Sequence, residues 1–266
     1  MEPKTLALIA AGGAASAAVI YAAVSPTFTP RAFLMQPSGS QSVMQLKEDI
    51  IDSNANPINP RNRGTRFHPL PAPEGAKRVP IVGLVRTTIS QDPSTPYIYG
   101  RAFRGAFEYL KAAMREAGRG DEDARAVLFL HALETGWFRC CYNWNLGNRK
   151  VRPHCDPAMI REGYVYTTNQ NTDCVYILRD QARSIDFYPG YVSLASGLRE
   201  EKAFFERYPA YHGVIDAYRR GGVEGCIEAS AIMQRAGYSP RDPAREAEIR
   251  GYWRRCGGGR LEDWVR

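Results

Sequence analysis

The chain has 266 residues, 44% of them apolar, which is enough for a buried core and for one or two domains. Its net charge is +7, but residues 1–100 hold nine basic and six acidic side chains and the remainder holds 26 and 22. This even distribution gives no concentrated basic segment, and the sequence contains no phosphate loop, dinucleotide fingerprint or exposed-serine motif. Neither a cofactor nor a nucleic-acid partner is therefore predicted.

The N-terminus carries an uncharged run at residues 5–24, about the length of a helix that crosses a bilayer. Lys4 before the run is a weak positive-inside signal, which puts the rest of the chain on the far side of the membrane. We expect residues 1–24 to form a transmembrane anchor, with the folded part in the periplasm or outside the cell. A cleaved signal peptide is the alternative, because the run is rich in alanine and the small residues near Ala22-Ala23 or Ser25 could form a cleavage site.

Residues 25–96 contain 11 of the 18 prolines of the chain. Because proline resists helix interiors and removes hydrogen-bond donors from sheets, we expect an extended, proline-rich linker here. A short helix at residues 43–51 and a short strand at residues 79–85 are the predicted exceptions. The linker either holds the domain away from its anchor or wraps around it, and the pattern does not choose between these.

The domain itself is predicted at residues 97–266 and begins with two helices. The first has an apolar stripe at i, i+4, i+7 and i+11, made by Phe103, Phe107, Leu110 and Met114, and it ends at Gly118. The second is apolar over residues 126–133, starts from a cap at Asp121 or Asp123, and stops at Thr135 and Gly136. Glu134 is therefore expected at the end of an apolar helix.

Glu134 is followed closely by aromatic residues, Trp137, Phe138 and Tyr142. Partly apolar surroundings disfavour the charged form of a carboxyl group, so that it keeps its proton. Such a group can donate that proton to the oxygen of a glycosidic bond as it leaves.

The remaining elements predict a mainly α, α+β domain. Residues 163–168 and 174–178 have the composition of short strands, and residues 169–173 form a polar loop between them, which predicts a small β-hairpin. Helices are predicted at residues 194–208, 211–219, 223–235 and 243–254. Asp242 is the expected cap of the last helix, and Pro243 suits its first turn.

Three stretches resemble the signatures of one family. They are Leu133-Glu134-Thr135-Gly136-Trp137 with Tyr142-Asn143-Trp144-Asn145-Leu146-Gly147-Asn148, then Tyr188-Pro189-Gly190-Tyr191-Val192-Ser193-Leu194, and then Arg235-Ala236-Gly237-Tyr238-Ser239-Pro240-Arg241-Asp242-Pro243. The three stretches cover about residues 100–255. Their order and spacing resemble those of the motifs in the bacterial endo-β-N-acetylglucosaminidases, which are peptidoglycan hydrolases of the autolysin and flagellar type.

The resemblance implies a lysozyme-like helical domain that cleaves β-1,4 glycosidic bonds in peptidoglycan. It implies that Glu134 is the catalytic acid and aligns Tyr191 with the active-site tyrosine of the family. The predicted substrate-binding residues are Trp137, Tyr142, Asn143, Asn145 and Asn148. Their alternative roles are core packing for the aromatic residues and turn formation for the asparagines, whose side chains often bond the nearby backbone. No metal ligand set is predicted.

One departure from the family pattern concerns the second carboxylate. Members often carry an acid in a Thr-x-Glu pattern in the hairpin, but Thr167-Thr168-Asn169 has an amide there. Glycoside hydrolysis usually needs two carboxylates. The candidates to replace it are Asp156, Glu162, Asp173 and Asp186; otherwise Glu134 acts alone, with water held by Tyr191 and the asparagines, or with help from the N-acetyl group of the substrate.

Three other functions stay open at this point. A bacteriophage virion enzyme that opens the wall during genome entry would share the fold and the chemistry. A structural glycan-binding protein would lack activity because of Asn169. A lytic transglycosylase would also use a single glutamic acid.

Six cysteines, all within the predicted domain, suggest disulfides in an oxidising compartment. They are Cys140, Cys141, Cys155, Cys174, Cys226 and Cys256. Free buried thiols are the alternative, and a metal site is disfavoured because no Cys-x-x-Cys pair occurs.

Overall fold

A computed structural model describes residues 42–56, 66–85, 87, 101–135, 141–179, 184–239 and 241–255. Within them, helices surround one large apolar core, and a small four-stranded sheet lies over a second core. The helices are α1 (Val43–Ala55), α2 (Arg101–Glu116), α3 (Ala124–Glu134), α4 (Pro157–Glu162), α5 (Leu194–Arg207), α6 (Val214–Arg220), α7 (Gly222–Arg235) and α8 (Arg245–Arg255), with a 3-10 turn at Pro209–Tyr211. The strands are β1 (Lys77–Val82), β2 (Tyr164–Thr167), β3 (Cys174–Arg179) and β4 (Ile185–Gly190). The predicted mixed fold with a helical majority is thus present.

The helices begin where side-chain caps satisfy their first N–H groups. Asp123 accepts a hydrogen bond from the backbone N–H of Arg125 at the start of α3, and Ser193 accepts one from Ser196 at the start of α5. Gly118, at φ +71°, follows α2, as predicted. One helix was missed, since α4 has only six residues and cannot show a helical period, although Asp156 caps it and Gly163 ends it.

The predicted hairpin is wrong in its pairing. Both of its strands exist as β2 and β3, but the sheet order is β2-β1-β3-β4, so β1 lies between them. β1 runs antiparallel to β2, with Lys77 opposite Thr167, and parallel to β3, with Ile81 opposite Val175. β3 pairs instead with β4, which was not predicted as a strand and whose last residues belong to the second family-like stretch.

Parts of the predicted linker belong to the second core. Leu46 and Ile50 of α1 and Val79 and Ile81 of β1 are buried there with β3 and β4. The described segments of residues 25–96 are therefore packed against the domain and do not form a free spacer. The domain boundary at residue 97 stays a prediction.

Two further expectations concern the membrane and the cysteines. In the described part of the chain no helix has the length and apolarity to cross a bilayer, and the predicted anchor at residues 5–24 lies outside it. Within the described residues, the predicted disulfides are not supported. The thiols of Cys155, Cys174 and Cys226 are free. Burial of these thiols raises their pKa, to about 12 for Cys155 and Cys174. Cys140 and Cys256 lie outside the described residues.

Candidate functional site

Glu134 lies at the point where α3 leaves the helical core. The helix is apolar on all sides, and its residues from Ala126 to Leu130 are almost completely buried. Thr135 ends it, donating its hydroxyl hydrogen to the carbonyl oxygen of His131 at 2.6 Å. The Glu134 side chain is 23% exposed, so the carboxylate stands at the surface of a rigid element.

Among the described residues, the carboxylate of Glu134 has an ionic partner. Nη2 of Arg245, the first residue of α8, donates to Oε1 of Glu134 at 2.6 Å. Nη1 of the same guanidinium donates to Glu248 at 2.9 Å. Trp137 and Phe138 lie outside the described residues, so their predicted contribution stays a prediction. Tyr142 is half-buried, with its ring centroid 6.4 Å from that of Tyr176.

The turn after Tyr142 is held by its own asparagines. The amide of Asn143 accepts from the N–H of Val85 at 2.7 Å and donates to the carbonyl of Gly83 at 3.2 Å. Asn145 is fully buried and bonds the backbone of Arg149 in both directions. Asn145 thus bonds the backbone of its own turn, as in the alternative role, whereas Asn143 connects the turn to residues 83–85.

Asn148 connects this turn to the acid. It has φ +46°, and its amide donates to the carbonyl oxygen of Glu134 at 3.1 Å. Because the last carbonyls of a helix lack partners within it, this bond satisfies one of them and fixes the end of α3 against the turn. Asn148 itself is only half-buried.

The three stretches with family-like motifs meet here. The Tyr238 hydroxyl donates to the carbonyl of Gly147 at 2.8 Å, and the N–H of Tyr191 donates to the carbonyl of Asn143 at 2.8 Å. Arg149 continues the same turn and donates from Nη2 to the Tyr191 hydroxyl at 3.1 Å. Segments that are 42 to 91 residues apart are thereby joined around the turn that holds Glu134.

Tyr191 is placed behind this turn rather than on the surface. Its side chain is 4% exposed, and burial raises its pKa well above the usual tyrosine value. The hydroxyl therefore stays protonated and accepts the bond from Arg149. In this geometry Tyr191 supports the turn through its hydrogen bond with Arg149.

The loop after β2 is the place where the resembled family often has a second acidic residue. In this chain its asparagines bind a carboxylate from helix α5. Asn169 and Asn171 donate their amide hydrogens to the two oxygens of Glu200, at 2.6 and 2.7 Å. Glu200 is a buried residue of α5 that the sequence analysis did not consider. Its signal was weak, because it lies in an ordinary charged run, Leu-Arg-Glu-Glu-Lys.

The four carboxylates that were considered instead have other positions. Asp156 caps α4, and Asp173 accepts from the N–H of Val192 at 2.9 Å. Asp186 is buried and paired with Lys150. Glu162 is exposed at the end of α4. Three of these side chains are thus already engaged in local structure.

A buried charge cluster lies one turn before Glu134. Glu201 of α5 accepts from Arg119 at 2.6 Å and lies 3.1 Å from Nε2 of His131. Burial alone would raise the pKa of Glu201, but His131, Arg119 and Arg149 outweigh it and lower the value to about 2. His131 thus connects α3 to α5 through its contact with Glu201.

A cavity of about 700 Å³ lies at the other end of α3. Its wall includes Phe107, Met114, Arg119 and the residues that begin the helix, Ala124 and Arg125. At 1.5 Å per residue, Glu134 is ~15 Å away along the helix axis. This cavity is therefore separate from the surface on which Glu134 stands.

No family model and no curated protein matches this chain. Among solved structures, it is similar to the glycoside hydrolase domain of FlgJ from Salmonella typhimurium. The match has 18% sequence identity and a TM-score of 0.38, and it covers 56% of this chain and 84% of that domain.

Proposed function

We propose that this protein is a peptidoglycan hydrolase that cleaves β-1,4 glycosidic bonds of the glycan strand, with Glu134 as the general acid. The observation that carries the proposal is the meeting of three distant motifs around one partly exposed carboxylate. A helix end fixed by Asn148, Gly147 and Tyr238 gives that carboxylate a defined position. Fixed geometry is what a proton donor to a leaving oxygen needs.

In this proposal Glu134 donates a proton to the leaving glycosidic oxygen from Oε2, the carboxylate oxygen for which the structure shows no bond to Arg245. Tyr142 and Asn148 are partly exposed and are proposed to contact the sugar together with Trp137. Asn143, Asn145 and Tyr191 hold the turn. The glycan is the partner, residues 5–24 anchor the protein in the membrane, and the domain works outside it.

The test is digestion of purified peptidoglycan with product masses recorded. General acids typically contribute 10²- to 10⁴-fold, so Glu134→Gln should slow release at least ~100-fold. Glu224→Gln is a matched control, because Glu224 forms an ion pair of the same 2.6 Å length with Arg250 on α8. It should digest at the wild-type rate. Equal release by wild type and Glu134→Gln would falsify the assignment.

The masses also identify the reaction. Hydrolysis adds water and leaves a reducing end, whereas a lytic transglycosylase leaves an anhydro-muramyl end. We expect reducing ends on N-acetylglucosamine. Anhydro products would keep Glu134 as the acid but replace hydrolysis by intramolecular transfer.

A second candidate is a glycan-binding protein without activity. The ion pair on Glu134 and the amide of Asn169, already bound to Glu200, favour it. Such a protein would bind sacculi and release nothing. Binding by both wild type and Glu134→Gln, with no fragments from either, would select this function.

A further inference from the structure

The guanidinium of Arg245 is shared between two carboxylates. One arm reaches Glu134 across the chain at 2.6 Å, and the other reaches Glu248 one turn along α8 at 2.9 Å. The side chains of Arg245 and Glu134 are 18% and 23% exposed. Arg245 is therefore a cation at the surface, held by its own helix through Glu248 even when Glu134 is not its partner.

The ion pair has a consequence for the proposed chemistry. A carboxyl group must bind a proton before it can donate one, and an arginine in contact stabilises the deprotonated form. For Glu134 to act as a proton donor, the arm of Arg245 that contacts Oε1 needs another anion as its partner. Of the groups around Arg245, Glu248 already occupies the other arm.

We propose that Arg245 is the binding site for a carboxylate of the substrate, and that this carboxylate replaces Glu134 on the guanidinium. The identity of the substrate as a wall glycan rests on the proposed function. The exchange preserves the charge balance, because one carboxylate leaves Arg245 and another arrives. Oε1 of Glu134 is then no longer in contact with Arg245.

The chemistry of the glycan strand fits this exchange. A muramyl residue carries its lactyl ether on C3, next to O4, which is the oxygen that a glucosaminidase protonates. In a strand without peptides, the lactyl group has a free carboxylate. This anion is therefore close to the leaving oxygen. The planar fork of arginine suits carboxylates. A neutral chitin-type strand has no such group and would leave Glu134 paired.

The binding experiment uses one glycan preparation in two forms. Peptide-free strands are compared with the same strands after their carboxylates have been converted to methylamides. Dissociation constants are measured with Glu134→Gln, in which turnover is blocked if Glu134 is the acid. The same dissociation constants are measured for two double variants, in which Glu134→Gln is combined with Arg245→Gln or with Arg250→Gln. Arg250 is the matched control, since it lies on the same helix and pairs with Glu224 at 2.6 Å.

We expect Glu134→Gln to bind the carboxylate strands about tenfold more tightly than the amidated ones. The preference should disappear with Arg245→Gln and persist with Arg250→Gln. Equal affinity for the two strands in Glu134→Gln, or a preference that survives Arg245→Gln, overturns the inference. So does a failure of all three variants to bind the carboxylate strands.

A kinetic experiment tests the release of Glu134. Wild type should cleave carboxylate strands about tenfold faster than amidated strands, measured as kcat/KM, and Arg245→Gln should cleave both at similar rates. Retention of the wild-type ratio by Arg245→Gln contradicts the inference and leaves the proposed function intact. Cleavage by Glu134→Gln at the wild-type rate contradicts the proposed function, while the binding experiment still decides the role of Arg245.

Discussion

Replacing Glu201 by glutamine removes one charge from a buried ion pair and leaves the other buried. The side chains of Arg119 and Glu201 are 0% and 5% exposed, and the guanidinium also has Glu122 at 3.3 Å. Loss of one partner of such a pair typically costs ~3–5 kcal/mol, because the remaining charge lacks compensation. Since Glu122 stays in place, we expect the lower end, about 3 kcal/mol.

The same contribution should also appear in the pH dependence of the stability. The pKa of Glu201 falls from 4.5 to about 2 on folding. A lowered carboxyl pKa stabilises the fold above pH 4.5, and this contribution is lost as the pH falls towards 2. A shift of this size corresponds to about 3 kcal/mol. The difference in stability between wild type and Glu201→Gln should therefore shrink between pH 5 and pH 2.

Urea unfolding followed by tryptophan fluorescence measures the difference, and thermal melting should show a decrease in Tm of ~6–12 °C. Glu224→Gln is again the control, because its ion pair has the same 2.6 Å length but side chains that are 40% and 71% exposed. Exposed pairs contribute ~0–1 kcal/mol. If the two variants lose the same stability, burial does not set the cost and the reasoning is refuted.

Two further predictions concern the turn and the loop beside Glu134. Tyr238→Phe removes the hydrogen bond to the Gly147 carbonyl and should cost about 1 kcal/mol of unfolding free energy, whereas Tyr211→Phe, which removes a 3.4 Å contact in the same aromatic cluster, should be nearly neutral. Equal losses in urea unfolding would show that the turn does not depend on Tyr238. Asn169→Asp places a second carboxylate against Glu200 and should cost ~1–3 kcal/mol without raising activity. Unchanged stability together with faster glycan cleavage would mean that this loop accepts a catalytic acid.

The sequence was most informative where structure depends on near neighbours. Asp123 and the apolar run after it predicted α3 from its cap to Glu134, and the helices at the C-terminal end were found to within a few residues. β4 was missed because Pro189 and Gly190 are typical of turns, yet its pairing with β3 includes both residues.

Contacts between distant segments could not be predicted from local patterns. Nothing near residue 80 indicates that β1 separates two strands that lie almost a hundred residues later. Arg245 and Glu134 are 111 residues apart, so the ion pair at the candidate acid was invisible in the sequence. Glu201 did leave a signal, because it falls on the apolar face of α5 with Leu194, Leu198 and Phe205.

The central position of β1 limits how far the domain can work from a membrane. A free spacer of residues 25–96 would extend for some 240 Å at full stretch, at ~3.3 Å per residue. With α1 and β1 packed into the second core, residues 25–41 separate the predicted anchor from α1, the first helix of the described residues. That segment spans at most ~60 Å. If residues 5–24 lie in a bilayer, this length and the width of the domain together limit how far from that bilayer the candidate acid can act.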